Sequence, residues 1–374
     1  MDDRRAVRAI LDGAERAPDA SALFGGASAR LRRLVGFHAA AWSATDPGTG
    51  LVTAPMHVEN LGRGEGCFAY WETALLEESV VPFRELARAA VPAAGLRAAT
   101  GDLPARSVQF RKLLARQGVG DELRAVLRIG GRPWGVVSLF REAGRPPFGP
   151  AEVALLARLS APLAGRLRAL AVPPPGTAEG AGRDEPGPGL VLFDPSGVPI
   201  SINDEARHHL ARVPAGPSVP SPLGPPLPIW LAGTAAQARA VASGRDRGAA
   251  RVRVRTRDGR WLVCHATRTE GPGGAPGPTA VVVQPAAGSD LAPLIADAYG
   301  LSVRELEITE LIARGLSTGD IAADLVISPH TVRDHVKTIF GKTGASSRGE
   351  LVARLFADRH WPRRAAAGPA GRAR

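Results

Sequence analysis

Three consecutive residues near the end of the chain, Gly341-Lys342-Thr343, have the types and order that bind nucleotide phosphates. A phosphate-binding loop also needs a glycine five residues before its Gly-Lys pair, after a strand, so that backbone N–H groups can surround the phosphate. Position 336 is Val336, and the apolar residues before Gly341 recur with the period of a helix. The sequence therefore excludes a nucleotide site here, and with it an ATP-driven regulator.

Histidine and cysteine, which often build catalytic and metal sites, are sparse and poorly placed. His208 and His209 are adjacent, so a helix would point their rings about 100° apart, a poor geometry for one metal ion. Cys67 and Cys264 are the only cysteines, too few for a disulfide framework or a thiolate metal site. Cys264 alternates with apolar residues and is expected in a core. We therefore predict no enzymatic activity, no cofactor and no metal site.

Aromatic residues of the N-terminal half are a further candidate for a functional site. Trp42, Tyr70, Trp71 and Trp134 could line a small-molecule pocket. Large aromatic side chains more often fill a core, and no polar anchoring motif accompanies these four. The sequence favours the core.

Residues 328–344 have the pattern of one amphipathic helix. Ser328 is a suitable N-cap, and Pro329 suits the first helical position, which needs no N–H partner. The apolar face consists of Val332, Val336, Ile339 and Phe340. At about 100° per residue the opposite face carries His330, Asp334, Lys337 and Gly341, with Arg333 on its flank. Such a helix can bury one side and present the other to a groove of DNA.

Helix-capping signals define the elements that must position this helix. Ser302 with Glu305 has the spacing of a capping box, and Gly315 ends the helix that they begin. Ser317 or Thr318 then caps a short helix. A fourth helix follows residues 346–348. The pattern predicts four helices in succession.

Residues 299–360 as a whole closely resemble the LuxR-type helix-turn-helix domain of bacterial transcription regulators. The resemblance implies that bases are read by Arg333, Asp334 and Lys337. It implies that phosphates are held by neighbours such as Ser328, Thr331 and Arg348. With the adjoining polar residues, the set expected to contact DNA is Ser328, His330, Thr331, Arg333, Asp334, Lys337, Thr338, Lys342 and Arg348.

Asp334 stands out in this set because phosphates repel a carboxylate. It could accept a hydrogen bond from cytosine N4, or it could pair with Lys337 three residues later. We favour the pair within the helix. Arg333 can hold guanine O6 and N7 together.

Overall charge gives little support for a nucleic-acid partner. The net charge is +11, but 44 of the 47 basic residues are arginine in a chain rich in Ala, Gly and Pro, which indicates a GC-rich coding sequence. Residues 299–360 contain as many acidic as basic residues. No secretory signal and no apolar run long enough to span a membrane is visible, so we expect a cytoplasmic protein.

The chain divides by composition. A Pro/Gly-rich linker over 171–188 separates residues 1–170 from 189–285, a second linker covers 286–298, and a disordered basic tail covers 361–374. The expected fold is multidomain α+β, with antiparallel sheets and helices, followed by the all-α four-helix domain.

Two further resemblances concern the regions before the helical domain. The hairpin 123–140 with the helix after Pro150 resembles the end of a GAF domain, and 189–285 resembles a PAS domain. These families imply sensory or dimerisation modules. Along the helix 150–170, Val153, Leu156, Leu159, Leu163 and Leu167 form an apolar stripe that could pair two chains.

We therefore expect a sequence-specific DNA-binding transcription regulator whose N-terminal domains sense a signal or mediate dimerisation. In the alternative, those domains are only protein–protein interaction modules and take no small ligand. The expected partners are double-stranded operator DNA, a second copy of the chain and an unidentified small-molecule or protein signal, with RNA polymerase as a further candidate and no membrane.

Overall fold

The computed structural model describes residues 3–61, 65–77, 79–172 and 186–356. They form two compact units, one made of 3–172 with 186–286 and the other of 287–356. Among these residues, no helix is long and apolar enough to cross a membrane. The tail 361–374 and most of the linker predicted over 171–188 lie outside the described residues.

The first sheet has five antiparallel strands in the order β2-β1-β5-β4-β3. Their bounds are β1 Ala39–Thr45, β2 Val52–Glu59, β3 Ala93–Gly95, β4 Val119–Ile129 and β5 Arg132–Glu142. Gly130 and Gly131, both with positive φ (56° and 77°), join β4 to β5, as expected of a two-residue hairpin turn. The hairpin predicted from the sequence is confirmed.

Helices precede, separate and follow these strands in the sequence, and they pack around the sheet. Their bounds are α1 Asp3–Glu15, α2 Ala20–Val35, α3 Glu65–Leu76, α4 Phe83–Leu86, α5 Leu96–Thr100 and α6 Pro150–Ala171. Trp42, Tyr70, Trp71 and Trp134 are all buried, as the sequence favoured.

Helix α6 packs on β4 of its own sheet. Leu156, Leu159, Leu163 and Leu167 are buried there, and Val153 is half-buried. The apolar stripe that could have paired two chains is therefore used within one chain. It gives no support to pairing through this helix.

The second sheet is also antiparallel and five-stranded, in the order β10-β11-β12-β6-β7. The strands of this part are β6 Gly189–Phe193, β7 Pro199–Ile202, β8 Ser218–Val219, β9 Leu227–Pro228, β10 Arg251–Arg255, β11 Trp261–Glu270 and β12 Pro276–Pro285, where β8 and β9 pair only with each other. Its helices are α7 Asp204–Ala211 and α8 Ile229–Ala242. Cys264 on β11 is buried, which confirms its place in the core, and burial raises the pKa of its thiol to about 12.

The second unit is all helical. Its helices are α9 Gly288–Tyr299, α10 Val303–Ala313, α11 Thr318–Asp324, α12 Pro329–Thr343 and α13 Arg348–Phe356. The last four confirm the predicted helical domain, so the α+β sheets followed by a four-helix domain are as expected.

Helix α9, Gly288–Tyr299, covers most of residues 286–298, which the sequence suggested as a linker. Gly288 and Pro293 read as helix breakers, but both lie in the first two turns of the helix. Leu291, Leu294 and Ile295 are buried along it, and the Asp290 carboxylate accepts a hydrogen bond from the Ala287 N–H at 2.9 Å. Apolar burial and capping outweigh the weak helix propensity of these two residues.

Candidate nucleic-acid interface

Helix α12 starts where two capping signals coincide. The Ser328 hydroxyl oxygen accepts a hydrogen bond from the Thr331 N–H at 3.0 Å, and Pro329 occupies the first turn. The Ser328 and Thr331 hydroxyls also lie 2.9 Å apart. Both residues are exposed. This helix N-terminus can therefore receive an anion such as a phosphate.

The two faces of α12 differ as the sequence predicted. Helix α12 packs against α10 and α11; Val332 and Ile339 are fully buried at 0% exposure, whereas Val336 and Phe340 of the predicted apolar face are half-buried. The opposite face is exposed and polar; it carries His330, Arg333, Asp334, Lys337 and Thr338. Arg333 and Lys337 form no ion pair and no side-chain hydrogen bond with any residue that the structure describes. Two cations thus point away from the domain with no internal role.

Asp334 pairs within the helix, but with a different residue from the one we favoured. Its Oδ2 lies 3.1 Å from Nδ1 of His330, one turn earlier, rather than beside Lys337. An i,i+4 spacing allows this approach as readily as i,i+3. The Thr338 hydroxyl donates to the Asp334 backbone oxygen at 3.0 Å. Lys337 therefore keeps its charge free for a partner outside the helix.

Lys342 and Arg348 have partners inside the domain. The Lys342 ammonium donates to Oε2 of Glu305 at 2.6 Å, which ties the end of α12 to α10. The Arg348 guanidinium donates to the Leu316 backbone oxygen at 3.0 Å and to the Thr318 hydroxyl at 2.7 Å. The structure thus gives both residues a positioning role, and DNA contact by either stays a prediction.

The sequence indicated Glu305 only as part of a capping box, but in the structure it also binds Lys342. Besides accepting from Lys342, its Oε2 accepts from the Ser302 N–H at 2.6 Å, which completes the predicted capping box. Burial raises the pKa of this carboxyl, but the hydrogen bonds and charge of Lys342 and the Ser302 N–H outweigh burial and leave the pKa lowered. One buried carboxylate therefore joins the start of α10 to the end of α12.

The turn between α11 and α12 fixes the angle between these helices. Val326 adopts a positive φ of 53°, rare for a β-branched residue, and is 88% exposed. The Arg304 guanidinium donates to the Leu325 backbone oxygen at 2.8 Å and holds the turn against α10. A short helix, a tight turn and a longer exposed helix make a helix-turn-helix.

Residues 300–355 match the model of the luxR family of bacterial regulatory proteins. The C-terminal domain is a LuxR-type helix-turn-helix domain. In proteins with helix-turn-helix motifs, the second helix of the motif lies in the major groove of DNA. In this LuxR-type domain that helix is α12.

Relatives of the LuxR-type domain are described as transcription regulators. The probable HTH-type transcriptional regulator GfsR of Streptomyces halstedii is 36% identical over 93 residues, which are 24% of this chain and 38% of that protein. The probable transcriptional regulatory protein NarL of Mycobacterium tuberculosis is 42% identical over 59 residues, 16% of this chain and 27% of that protein. The chain thus spans well under half the length of either relative.

The likeness of the chain to solved structures is weak. The chromophore-binding domain of a bacteriophytochrome from Stigmatella aurantiaca covers 45% of this chain and 60% of its own, at 16% identity and a TM-score of 0.33. A TM-score of this size does not identify the fold of either sheet.

Proposed function

We propose that this protein is a sequence-specific DNA-binding transcription regulator that reads its operator with α12. The observation that supports this most is the pair of exposed cations, Arg333 and Lys337, that have no partner within the described residues and lie opposite the buried Val332 and Ile339. Arg333 can bind guanine O6 and N7 together, and Lys337 can bind guanine or a phosphate. The exposed Ser328 and Thr331 hydroxyls lie at the N-terminus of this helix, whose positive end favours a phosphate.

A second copy of the chain belongs to this proposal. One recognition helix covers a half-site, and helix-turn-helix proteins commonly bind two half-sites as dimers. The stripe on α6 is buried, so the pairing surface lies elsewhere than the sequence suggested. RNA polymerase is the further partner through which such a regulator would act.

In this proposal the first unit determines under which conditions the helix-turn-helix domain binds DNA. In our proposal residues 1–170 form a GAF-like domain and residues 189–285 a PAS-like domain, and they sense a signal or mediate dimerisation. The alternative, interaction modules that take no small ligand, differs only in this unit and leaves the role of α12 unchanged.

The DNA-binding proposal can be tested with an operator selected from random DNA by the full-length protein. Changing both Arg333 and Lys337 to Ala should weaken binding at least about 30-fold, because each lost base contact costs about 1–3 kcal/mol. Arg314→Ala is the matched control, since Arg314 is an exposed arginine at the end of α10. Fluorescence anisotropy at about 0.15 M salt measures both.

Binding of the double variant within threefold of the unmodified protein would refute this role of α12. The single Lys337→Ala variant shows whether Lys337 contacts a phosphate or a base. A uniform loss across DNA sequences with a shallower salt dependence indicates a phosphate contact, whereas a loss confined to the operator indicates base readout.

A further inference from the structure

A cleft of about 940 Å³ lies within the first unit, between the parts that build its two sheets. One wall comes from α3 and α4, with Trp71 and Phe83. The other comes from α8 and the loop after it, with Gly233, Gln237 and Gly248. Small-molecule sites occupy roughly 300–1,000 Å³. The cleft is therefore large enough for an organic ligand.

Two buried polar atoms at this cleft lack partners among the residues that the structure describes. They are the indole N–H of Trp71, at 4% exposure, and Oε1 of Gln237, at 2%. The Gln237 amide nitrogen donates to the Gly248 backbone oxygen at 3.2 Å, which fixes which end of the amide is left over. An unsatisfied buried donor or acceptor costs about 1–3 kcal/mol. Trp71 and Gln237 both line the cleft, so a bound molecule that reached these two atoms would satisfy them.

Gly233 keeps the α8 wall open. It lies inside a helix, where glycine is about 1 kcal/mol less favourable than alanine. A Cβ built on Gly233 would meet no heavy atom within 4 Å. The space beside this glycine is free, so a longer side chain at this position would extend into the cleft.

Contacts across the cleft hold its two walls together. The Arg84 guanidinium donates to Oδ2 of Asp246 at 2.5 Å, and the Arg239 guanidinium lies 3.2 Å from Oε1 of Glu72. Arg245 donates to the backbone oxygen of Leu76. The cleft is therefore a built feature of the unit, and a ligand in it would touch both halves.

We infer that this cleft binds a small organic molecule that offers an acceptor to the Trp71 indole N–H and a donor to Gln237 Oε1. Arginines outnumber carboxylates in the lining, which favours an uncharged or anionic molecule over a cation. The arginines are Arg84, Arg88, Arg124, Arg245 and Arg247, and the carboxylates are Glu77, Glu85 and Asp246. This binding is independent of whether α12 reads DNA.

The probe for the test is 1-anilinonaphthalene-8-sulfonate, which combines an aromatic body, an N–H donor and a sulfonate acceptor. With the full-length protein we expect saturable one-to-one binding by fluorescence. Gly233→Leu should weaken it at least tenfold by filling the cleft. Trp71→Phe keeps an aromatic ring but removes the N–H, and should weaken it about fivefold for one hydrogen bond of about 1 kcal/mol.

The matched control is Gly349→Leu, the same change at an exposed position of α13 where a Cβ also meets nothing within 4 Å. It should bind the probe as the unmodified protein does. A second measurement follows the unmodified protein and does not depend on Gly233→Leu: the indole N–H resonance of Trp71, assigned by its loss in Trp71→Phe, should move on saturation with the probe.

Absence of saturable binding would overturn the inference. So would a Gly233→Leu variant that binds with unchanged affinity, or a Trp71 indole resonance that stays in place when the probe is bound. None of these outcomes bears on DNA binding, so failure here and failure of the proposed function are distinguishable.

Discussion

The carboxylate of Asp46 and the guanidinium of Arg253 form a two-pronged ion pair whose side chains are 0% and 1% exposed. Nε and Nη2 of Arg253 donate to the two carboxylate oxygens at 2.7 and 2.6 Å. Asp46 follows β1 and Arg253 lies on β10, so the pair joins the two sheets. A charge-assisted pair of this shape is among the strongest polar contacts.

Replacing Asp46 by Asn should destabilise the full-length protein by about 3–5 kcal/mol, because it leaves the buried Arg253 guanidinium without its counter-charge. Chemical denaturation followed by circular dichroism measures the free energy of unfolding. Asp204→Asn is the matched control: Asp204 is fully exposed and 3.9 Å from Arg207, and its loss should leave stability unchanged. A loss below about 1 kcal/mol for Asp46→Asn would mean that water or other residues compensate the arginine.

The contact between Glu305 and Lys342 predicts a pH dependence of the helical domain. Burial raises the pKa of Glu305, but Lys342 and the Ser302 N–H leave it lowered in the folded state. The stabilisation is therefore complete above the unfolded pKa of about 4.3 and disappears as the pH falls through the lower folded pKa. Melting curves of the full-length protein between about pH 3 and 7 should show this loss in the transition of the helical domain.

In the Glu305→Gln variant that domain should melt at a lower temperature at neutral pH and should lose this part of its pH dependence. Glu307→Gln is the control, since Glu307 pairs with Arg304 on the exposed side of the same helix. Identical pH profiles for the unmodified protein and Glu305→Gln would show that the ion pair contributes nothing to stability.

Helix α9 gives a prediction about where the domain begins. A fragment of residues 287–374 should melt at a higher temperature than one of residues 300–374, because α9 packs on α13 and buries Leu294. Leu294→Ala in the longer fragment should cost about 2–5 kcal/mol, whereas Ser289→Ala at an exposed position should cost little. Equal melting temperatures for the two fragments would make α9 a connector only, as the sequence suggested.

The helical domain could be predicted because its signals are local. Ser302 with Glu305, Ser317 with Asp320, and Ser328 with Pro329 mark three helix starts within a few residues each, and each cap is present. The hairpin of β4 and β5 was predictable for the same reason, since alternation and a short turn are read from neighbouring residues, whereas β1, β2 and β3 were not predicted.

Features that depend on residues far apart in the sequence could not be predicted. Helix α8 is buried almost all round, so it has no polar face to give a helical period, and Pro-rich residues precede it. The Asp46–Arg253 pair joins residues 207 apart in sequence. Lys342 was expected to contact DNA because it is a lysine on the recognition helix; its bond to Glu305, 37 residues away, depends on how α10 and α12 cross.

The junction between the sheets also protects two strands from aggregation. β2 and β10 are each the last strand of their sheet, and such edges expose unpaired backbone groups that can recruit other chains. Here each edge lies against the other: the Thr53 hydroxyl of β2 donates to the Arg253 backbone oxygen of β10 at 2.8 Å. The free edges are β3, with three residues, and β7, with four. A chain cut between residues 171 and 188 would uncover both long edges at once, so each half would be more prone to self-association than the intact unit.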